Sequence, residues 1–502
     1  MSVIDWMRNA YYWIWGIPML VAVLGSGLWF TCASGLFQFK HFGHFFRETF
    51  GKLLSKEART VTKDGKGGKI SVFDVASTAV GGAVGVGNIS GVATSIAVGG
   101  PGALFWMWIE AWFGMALKSA EVSLGVFFRK TDEKGDPYGG PCYYISRGLG
   151  QLYNGKIKKA ATAIAYIWGF CFMCNFLSGI QGYTICEGFA PAWNVDILLA
   201  GVALSVVMWI IVWGGAKRIA KFAGYCVPIM CTLFILGAII IVFRNISDLG
   251  SALGLIVKSA FTPTAAVGGF AGAMVKKVVT QGVSRAVFSN EAGQGSSTMI
   301  HSQANVEHPF KQGLWGYFEV FVDTILVCFF SGLAIIISGV WSSGVQGASL
   351  SIAAFSTTFG SWAGKVVSIF VMLFGLTTLT GWFTYYDNIL RFMCGAKAKL
   401  KKNIINIFKF IFPLPCLVTI WYTVHYGAPT SFVWTITDFL CAIPACINII
   451  CILLMSKTYI KLVKDYKARY MGIGTIDPNF QYFYEKDEYD RAEAVRALKS
   501  SE

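Results

Sequence analysis

The residues best suited to chemistry in this chain are clustered glycines rather than side-chain nucleophiles. Gly81, Gly82, Gly85, Gly87 and Gly91 crowd the stretch GGAVGVGNISGVATS, and Gly268, Gly269 and Gly272 crowd AVGGFAGA. Each glycine costs about 1 kcal/mol against alanine inside a helix, so such clusters favour unwound backbone. Unwound backbone at membrane depth presents N–H and C=O groups to ions and zwitterions, and it is tolerated only where it lines a protein cavity. Close packing of small residues is the competing reading for one cluster, and two clusters at matching positions weigh against it. Neither stretch is a nucleotide loop: no strand precedes them and no Lys-Ser/Thr pair follows, and EAGQGSST at 291–298 fails the same test. Cys171 and Cys174 form a C-x-x-C inside an apolar helical run and read as packing residues. His41, His44, His301, His308 and His425 have no metal-ligand spacing on one helix, and no nucleophile–base constellation stands out, which argues against an enzyme.

The elements that must carry these glycines are membrane-spanning helices. Of the 502 residues 55% are hydrophobic and 14% charged, too few charges to cover a soluble surface of this size. The formal charge of +15 reads as positive-inside loops between apolar spans, not as a nucleic-acid surface. Runs of about 20 apolar residues occur near 11–38, 71–98, 101–128, 159–189, 195–213, 222–243, 264–299, 313–339, 362–391, 404–424 and 430–455, giving an all-α polytopic protein of eleven spans. The first apolar stretch is too long for a cleavable signal. The loop 39–70 holds Lys40, Arg47, Lys52, Lys56, Arg59, Lys63, Lys66 and Lys69, whereas 340–361 holds no Lys or Arg. Alternation then predicts an external N-terminus and a cytoplasmic C-terminus in a bacterial or archaeal inner membrane. The charged tail from about 457 reads as solvated.

The two glycine clusters lie five spans apart, and an odd number of spans per half inverts the second half relative to the first. The predicted organisation is an extra N-terminal helix with a basic loop (1–70), two five-helix inverted repeats (71–243 and 264–455) and a charged tail (456–502). Glu110, Lys118, Glu121, Arg285, Glu291, Asp323 and Asp387 fall within or near spans and read as structural ion pairs or gates. Lys118 and Glu121 are spaced to meet on one helix, while Arg285 and Glu291 need partners elsewhere.

Five blocks carry a family resemblance: GNISGVATSIAVGGPGALFWMWIEAWFGMALKSAE (87–121), GGPCYYI (139–145), SRAVFSNEAGQGSS (284–297), HPFKQG (308–313) and TTLTGWFTYYD (377–387). In order and content they resemble signatures of the alanine or glycine:cation symporter family. The resemblance implies a leucine-transporter-like 5+5 inverted repeat, sodium coupling and small neutral amino-acid substrates, with no organic cofactor. The chain departs from the family pattern at Asp387, Tyr183 and Phe383, which leaves alanine, glycine, serine and glutamine open.

With that resemblance, the half-helix after GVGNIS would offer amides of Val86, Gly87 and Asn88 to the substrate carboxylate. Carbonyls of Val267, Gly268 and Gly269 would receive the ammonium, Gln181 would add a neutral hydrogen-bonding group, and Phe270 and Trp382 would close the pocket. Sodium would join the first broken helix to the eighth core helix through the carbonyls of Gly81, Val84 and Phe374 and the hydroxyls of Thr377 and Thr378. Thr378 would thus border both sites. The competing reading for the two threonines is bonding to carbonyls of their own helix. Asn88 would either serve a second ion or steady the unwound segment. A monomer in the lipid bilayer is expected. The rival functions are a proton-coupled or glutamine/serine-type symporter of the same fold and, further off, an ion channel.

Overall fold

A bilayer offers no water to backbone polar groups, so an apolar chain of this composition must satisfy them inside helices. The computed structural model describes residues 13–53, 55, 71–131, 137–262, 275–395, 397–427 and 430–501. These residues are mostly helical, the exception being an antiparallel bridge of β1 (Lys130–Thr131) with β2 (Pro137–Tyr138). The helices used below are α1 (Ile17–Ala33), α2 (Val72–Ala83), α3 (Gly87–Gly99), α4 (Gly102–Phe127), α5 (Lys158–Met173), α6 (Ile180–Trp193), α7 (Ile197–Trp213), α8 (Gly215–Arg244), α9 (Leu249–Phe261), α10 (Val275–Asn290), α11 (Thr298–His301), α12 (Pro309–Ile337), α13 (Gly347–Phe359), α14 (Ala363–Cys394), α15 (Ala398–Ile411), α16 (Leu414–Tyr426), α17 (Thr430–Leu454), α18 (Ser456–Met471) and α19 (Lys486–Ser501).

Among the described residues six helical stretches are long and apolar enough to cross a membrane, namely α5–α6, α8, α12, α14, α15–α16 and α17, and the bent pair α2–α3 makes a seventh. Helices α1 and α7 are apolar but shorter. The long helix α4 carries Glu110, Lys118 and Glu121, all fully buried, so its charges face protein rather than lipid. The interrupted pair α10–α11 covers the described part of the segment read at 264–299, so described helix lies in each of the eleven segments read from hydropathy. Two helices organise the bundle. Helix α4 packs against α1, α9, α10 and α12, and α14 packs against α2, α6, α8 and α13. Glycines set the close approaches: a Cβ on Gly282 of α10 would lie 2.7 Å from the Trp106 Cβ of α4.

The first interruption lies where the glycines predict it. Helix α2 stops at Ala83, Val84 leaves helical geometry at ψ 93°, and α3 resumes at Gly87 after a bend of 42°. The described residues hold a further interruption outside the second glycine cluster. Residues 267–270 lie outside the described residues, and the described backbone breaks at 291–297, between α10 and α11. Glu291 (φ 56°), Gly293 (φ 90°) and Gly295 (φ 78°) there adopt left-handed backbone, which glycine alone takes without steric cost. The segment EAGQGSS, which fails as a phosphate loop, is therefore a helix interruption.

The tail also differs from expectation. Helix α18 buries Tyr459, Leu462, Val463 and Tyr466, and Glu488 of α19 is buried against Arg129. Hydropathy misses this because the tail is held by aromatic rings and ion pairs rather than by an apolar run.

Candidate functional site

The oxygens of the first interruption face α14. Thr378 donates its hydroxyl to the carbonyl of Gly81 at 3.1 Å and approaches that of Val84 at 3.5 Å. Gly85 is required for this approach, because a Cβ there would lie 3.0 Å from the Thr378 Cβ and closer still to its hydroxyl. Thr377 behaves differently. Its hydroxyl donates to Leu373 and Phe374 carbonyls of its own helix, at 3.0 and 2.9 Å. The five residues expected around sodium thus divide: Gly81, Val84 and Thr378 meet directly, while Thr377 and the Phe374 carbonyl bond each other.

Asn88 steadies the interruption. Its side-chain oxygen accepts from the Gly85 amide at 2.8 Å, and its side-chain amide donates to the Asp323 carboxylate at 2.6 Å. The Asn88 backbone amide donates to Gly85 at 3.2 Å, so of the three amides expected for a carboxylate this one is engaged. Asp323 also accepts from Ser289 and Thr324, and Asn290 links Thr324 to Glu110. This buried set joins α3, α4, α10 and α12.

A mostly apolar cavity opens between the two repeats, enclosing about 490 Å³ of atom-free space that includes its solvent-open mouth. Gln181 and Trp382 line it, together with Phe288, Tyr386, Thr437 and Cys441. The Gln181 side-chain oxygen is buried and meets no hydrogen-bond donor among the described residues. Val86, Gly87 and Asn88 do not line this cavity. The Phe288 ring stands between, and a Cβ on Gly87 would meet it at 3.1 Å. The sequence reading did not single out Phe288, although it lies in SRAVFSNEAGQGSS, immediately before the second interruption.

A larger crevice, about 2310 Å³ including open solvent, runs between α2, α8 and α12 and is lined by Asp74, Ser77, Val80 and Val227. Val227 packs on Gly81, where a Cβ would meet it at 2.6 Å, so this side chain separates the crevice from the Gly81 turn.

Behind the second interruption the buried charges are paired. Lys118 lies 3.4 Å from Glu319 and donates to Ser297 at 3.0 Å. His301 contacts Glu319 at 3.0 Å, and Asn448 donates to Glu121 at 2.5 Å and to the Gly293 carbonyl at 2.8 Å. Lys118 therefore pairs across the bundle rather than with Glu121. Arg285 pairs with Asp438 and lies over Trp434, and Glu291 accepts from Trp382, both on other helices as the spacing required. Asp387 forms a local pair with Arg391 at 2.7 Å. No group of three or more His, Cys, Asp or Glu gathers in metal-binding geometry among the described residues.

Two interrupted helices, a glycine-lined set of carbonyl and hydroxyl oxygens, and a small cavity between repeats define a membrane transporter of the leucine-transporter fold. Solved structures agree on the fold: MhsT in complex with L-phenylalanine (TM-score 0.50, 15% identity, 78% of this chain and 100% of that one) and a Na+-coupled sialic acid symporter (TM-score 0.50, 12% identity, 97% and 96%). The chain belongs to the sodium:alanine symporter family, whose model matches residues 1–480. Relatives include the sodium/alanine symporter AgcS of Methanococcus maripaludis, 33% identical over 93% of this chain and 98% of that protein. Another is the probable sodium/glutamine symporter GlnT of Bacillus subtilis, 34% identical over 90% and 88%. The protein is thus a multi-pass membrane protein and a cation-coupled amino-acid transporter.

Proposed function

We propose that this protein carries a small neutral amino acid, alanine or glycine, into the cell together with sodium by alternating access. The reading rests on one observation above the others: the Thr378 hydroxyl sits 3.1 Å from the Gly81 carbonyl across a helix interruption. Sodium is a hard cation, and neutral oxygens from two elements suit it without burying a further charge. The ion would be held by the carbonyls of Gly81 and Val84 and by Thr378, with Phe374 and Thr377 turning to complete the set. The family and the name of AgcS support sodium and alanine. The substrate would occupy the space near Gln181 and Trp382, with its carboxylate toward Val86 and Gly87 once Phe288 moves aside. The two repeats are assigned to 71–243 and 264–455, and the basic loop 39–70 to the cytoplasm.

The membrane potential supplies the driving force: about 2.3 kcal/mol per charge per 100 mV, roughly fifty-fold accumulation. Sodium release toward the crevice beside Val227 would loosen the contact between α2 and α14. Coupling is then a difference in ion affinity between two conformations.

The test is uptake of labelled alanine into proteoliposomes with and without an inward sodium gradient, with glycine, serine and glutamine as competitors. Sodium-driven uptake inhibited best by glycine supports the reading. Strong glutamine uptake without alanine uptake keeps the sodium site and moves the substrate toward that named for GlnT. Uptake indifferent to sodium refutes the ion site and favours a proton-coupled relative of the same fold.

A further inference from the structure

Glu291 is a carboxylate in an unusual place. It follows α10 directly in left-handed backbone (φ 56°) and is 1% exposed, so neither conformation nor solvation favours a Glu there. Its two oxygens are both engaged: Trp382 of α14 donates its indole N–H to one at 2.6 Å, and Ser296 donates its hydroxyl to the other. Trp382 is also the ring that walls the cavity beside Gln181 and Phe288, and it stacks on Phe172 at 5.5 Å and 24°. Glu291 itself does not line the cavity.

The rest of the geometry points the same way. Trp382 lies four residues after Thr378, so the two side chains share one face of α14. That face bonds the first interruption through Thr378 and the second through Trp382. The loop bearing Glu291 is itself anchored, because Ser297 bonds Lys118 and Glu319, and Gly293 bonds Asn448. A ring held by stacking alone can slide or tilt. A charge-assisted hydrogen bond at its edge fixes its orientation as well.

We infer that Glu291 is a positioning residue for substrate selectivity: by holding the Trp382 indole N–H, it fixes the wall that limits the size of the side chain the cavity accepts. This rests on the transport reading given above. Without the bond, Trp382 can swing toward Phe172 or away from it, and the cavity should admit longer aliphatic side chains.

The experiment measures competition against sodium-driven alanine uptake by glycine, valine and leucine in proteoliposomes. Variants are Glu291→Gln, Glu291→Ala, Trp382→Phe and the double variant Glu291→Ala/Trp382→Phe. Glu291→Gln keeps an acceptor oxygen and should keep the competition profile. Glu291→Ala and Trp382→Phe should each shift the leucine-to-glycine inhibition ratio by about tenfold, the scale of discrimination per methylene in an apolar pocket. The double variant should add no more, because both changes remove the same bond. Half-saturation by sodium should stay within about twofold throughout, the scatter expected of sites that do not share a partner. An unchanged ratio in Trp382→Phe, or additive shifts in the double variant, overturns the inference. Should Glu291→Ala fail to accumulate, the contrast between Glu291→Gln and Trp382→Phe decides alone, since equal profiles in those two also overturn it. Absence of uptake by the unaltered protein removes the transport reading and this inference together, whereas normal uptake with an unmoved ratio removes only the inference.

Discussion

Two adjacent threonines of the same type take different roles here, and the difference is one of helix rotation. Thr378 points at the Gly81 carbonyl, while Thr377 points back along its own helix. Thr378→Ala should therefore raise the sodium concentration for half-maximal uptake about tenfold, the scale of a hydrogen bond to a charged group. Thr377→Ala should change it less, and sodium titration of uptake in the two variants checks this ordering. Gly85→Ala places a Cβ within 3.0 Å of the Thr378 Cβ. Such overpacking costs about 1–3 kcal/mol. The variant should lose sodium activation while eluting normally in size-exclusion chromatography, because the strain lies at the ion oxygens.

Among the elements, α4 shows why a span with three charges can be buried. Each charge meets a partner on another element: Glu110 with Asn290, Lys118 with Glu319, Glu121 with Asn448. The helix is also held by close approaches that a single methyl would break. A Cβ on Gly282 would press on the Trp106 Cβ at 2.7 Å and on the Ala103 carbonyl. Gly282→Ala should lower stability by about 1–3 kcal/mol, read as a drop in melting temperature in detergent. Lys118→Met should be more damaging, because it leaves Glu319 buried with His301 and Ser297 as its remaining partners. Uncompensated burial of this kind costs about 3–5 kcal/mol, and thermal melts of the two variants side by side test the order.

At the scale of the whole molecule, the tail closes the end of the bundle from which α4 emerges. Arg129, 1% exposed, donates to Glu488 at 2.6 Å and to the carbonyls of Ser302 and Ala304 at 3.1 and 2.8 Å. One side chain thus ties α4, the end of α11 and α19 together. Helix α19 lies beyond the family match, which ends at residue 480. Glu488→Ala should destabilise by about 3 kcal/mol, the lower bound for stranding a buried charge, measured by thermal unfolding. His308, just before α12, binds the tail as well: its ring accepts from the Phe310 amide at 3.1 Å and faces Asp465 at 3.2 Å. Burial holds its imidazole below the usual 6.5, with Asp465 acting the other way and Arg469 and Lys311 reinforcing the depression. The folded state therefore binds this proton less readily than the unfolded chain. Its contribution to stability is complete above pH 6.5 and is lost as pH falls from 6.5 through the folded-state value. Melting temperature should fall over that window, and less steeply in His308→Gln.

What the sequence determined by itself is what local composition controls. Apolar length located the apolar helical segments, and glycine density placed the first interruption, because helix cost and burial add up along a short stretch of chain. The Glu291 and Arg285 spacing likewise showed that each needs a partner on another helix. The second interruption was less legible: EAGQGSS holds only two glycines among polar residues, and its unwinding depends on Lys118, Glu319, Asn448 and Trp382 arriving from elsewhere. Only the tertiary structure decided that the Thr378 hydroxyl rather than that of Thr377 bonds the Gly81 carbonyl, that Phe288 stands between Gly87 and the cavity, and that Arg129 holds Glu488. Each of these depends on how one helix is rotated and raised against another. That phase is set by packing between residues hundreds of positions apart, which no local pattern encodes.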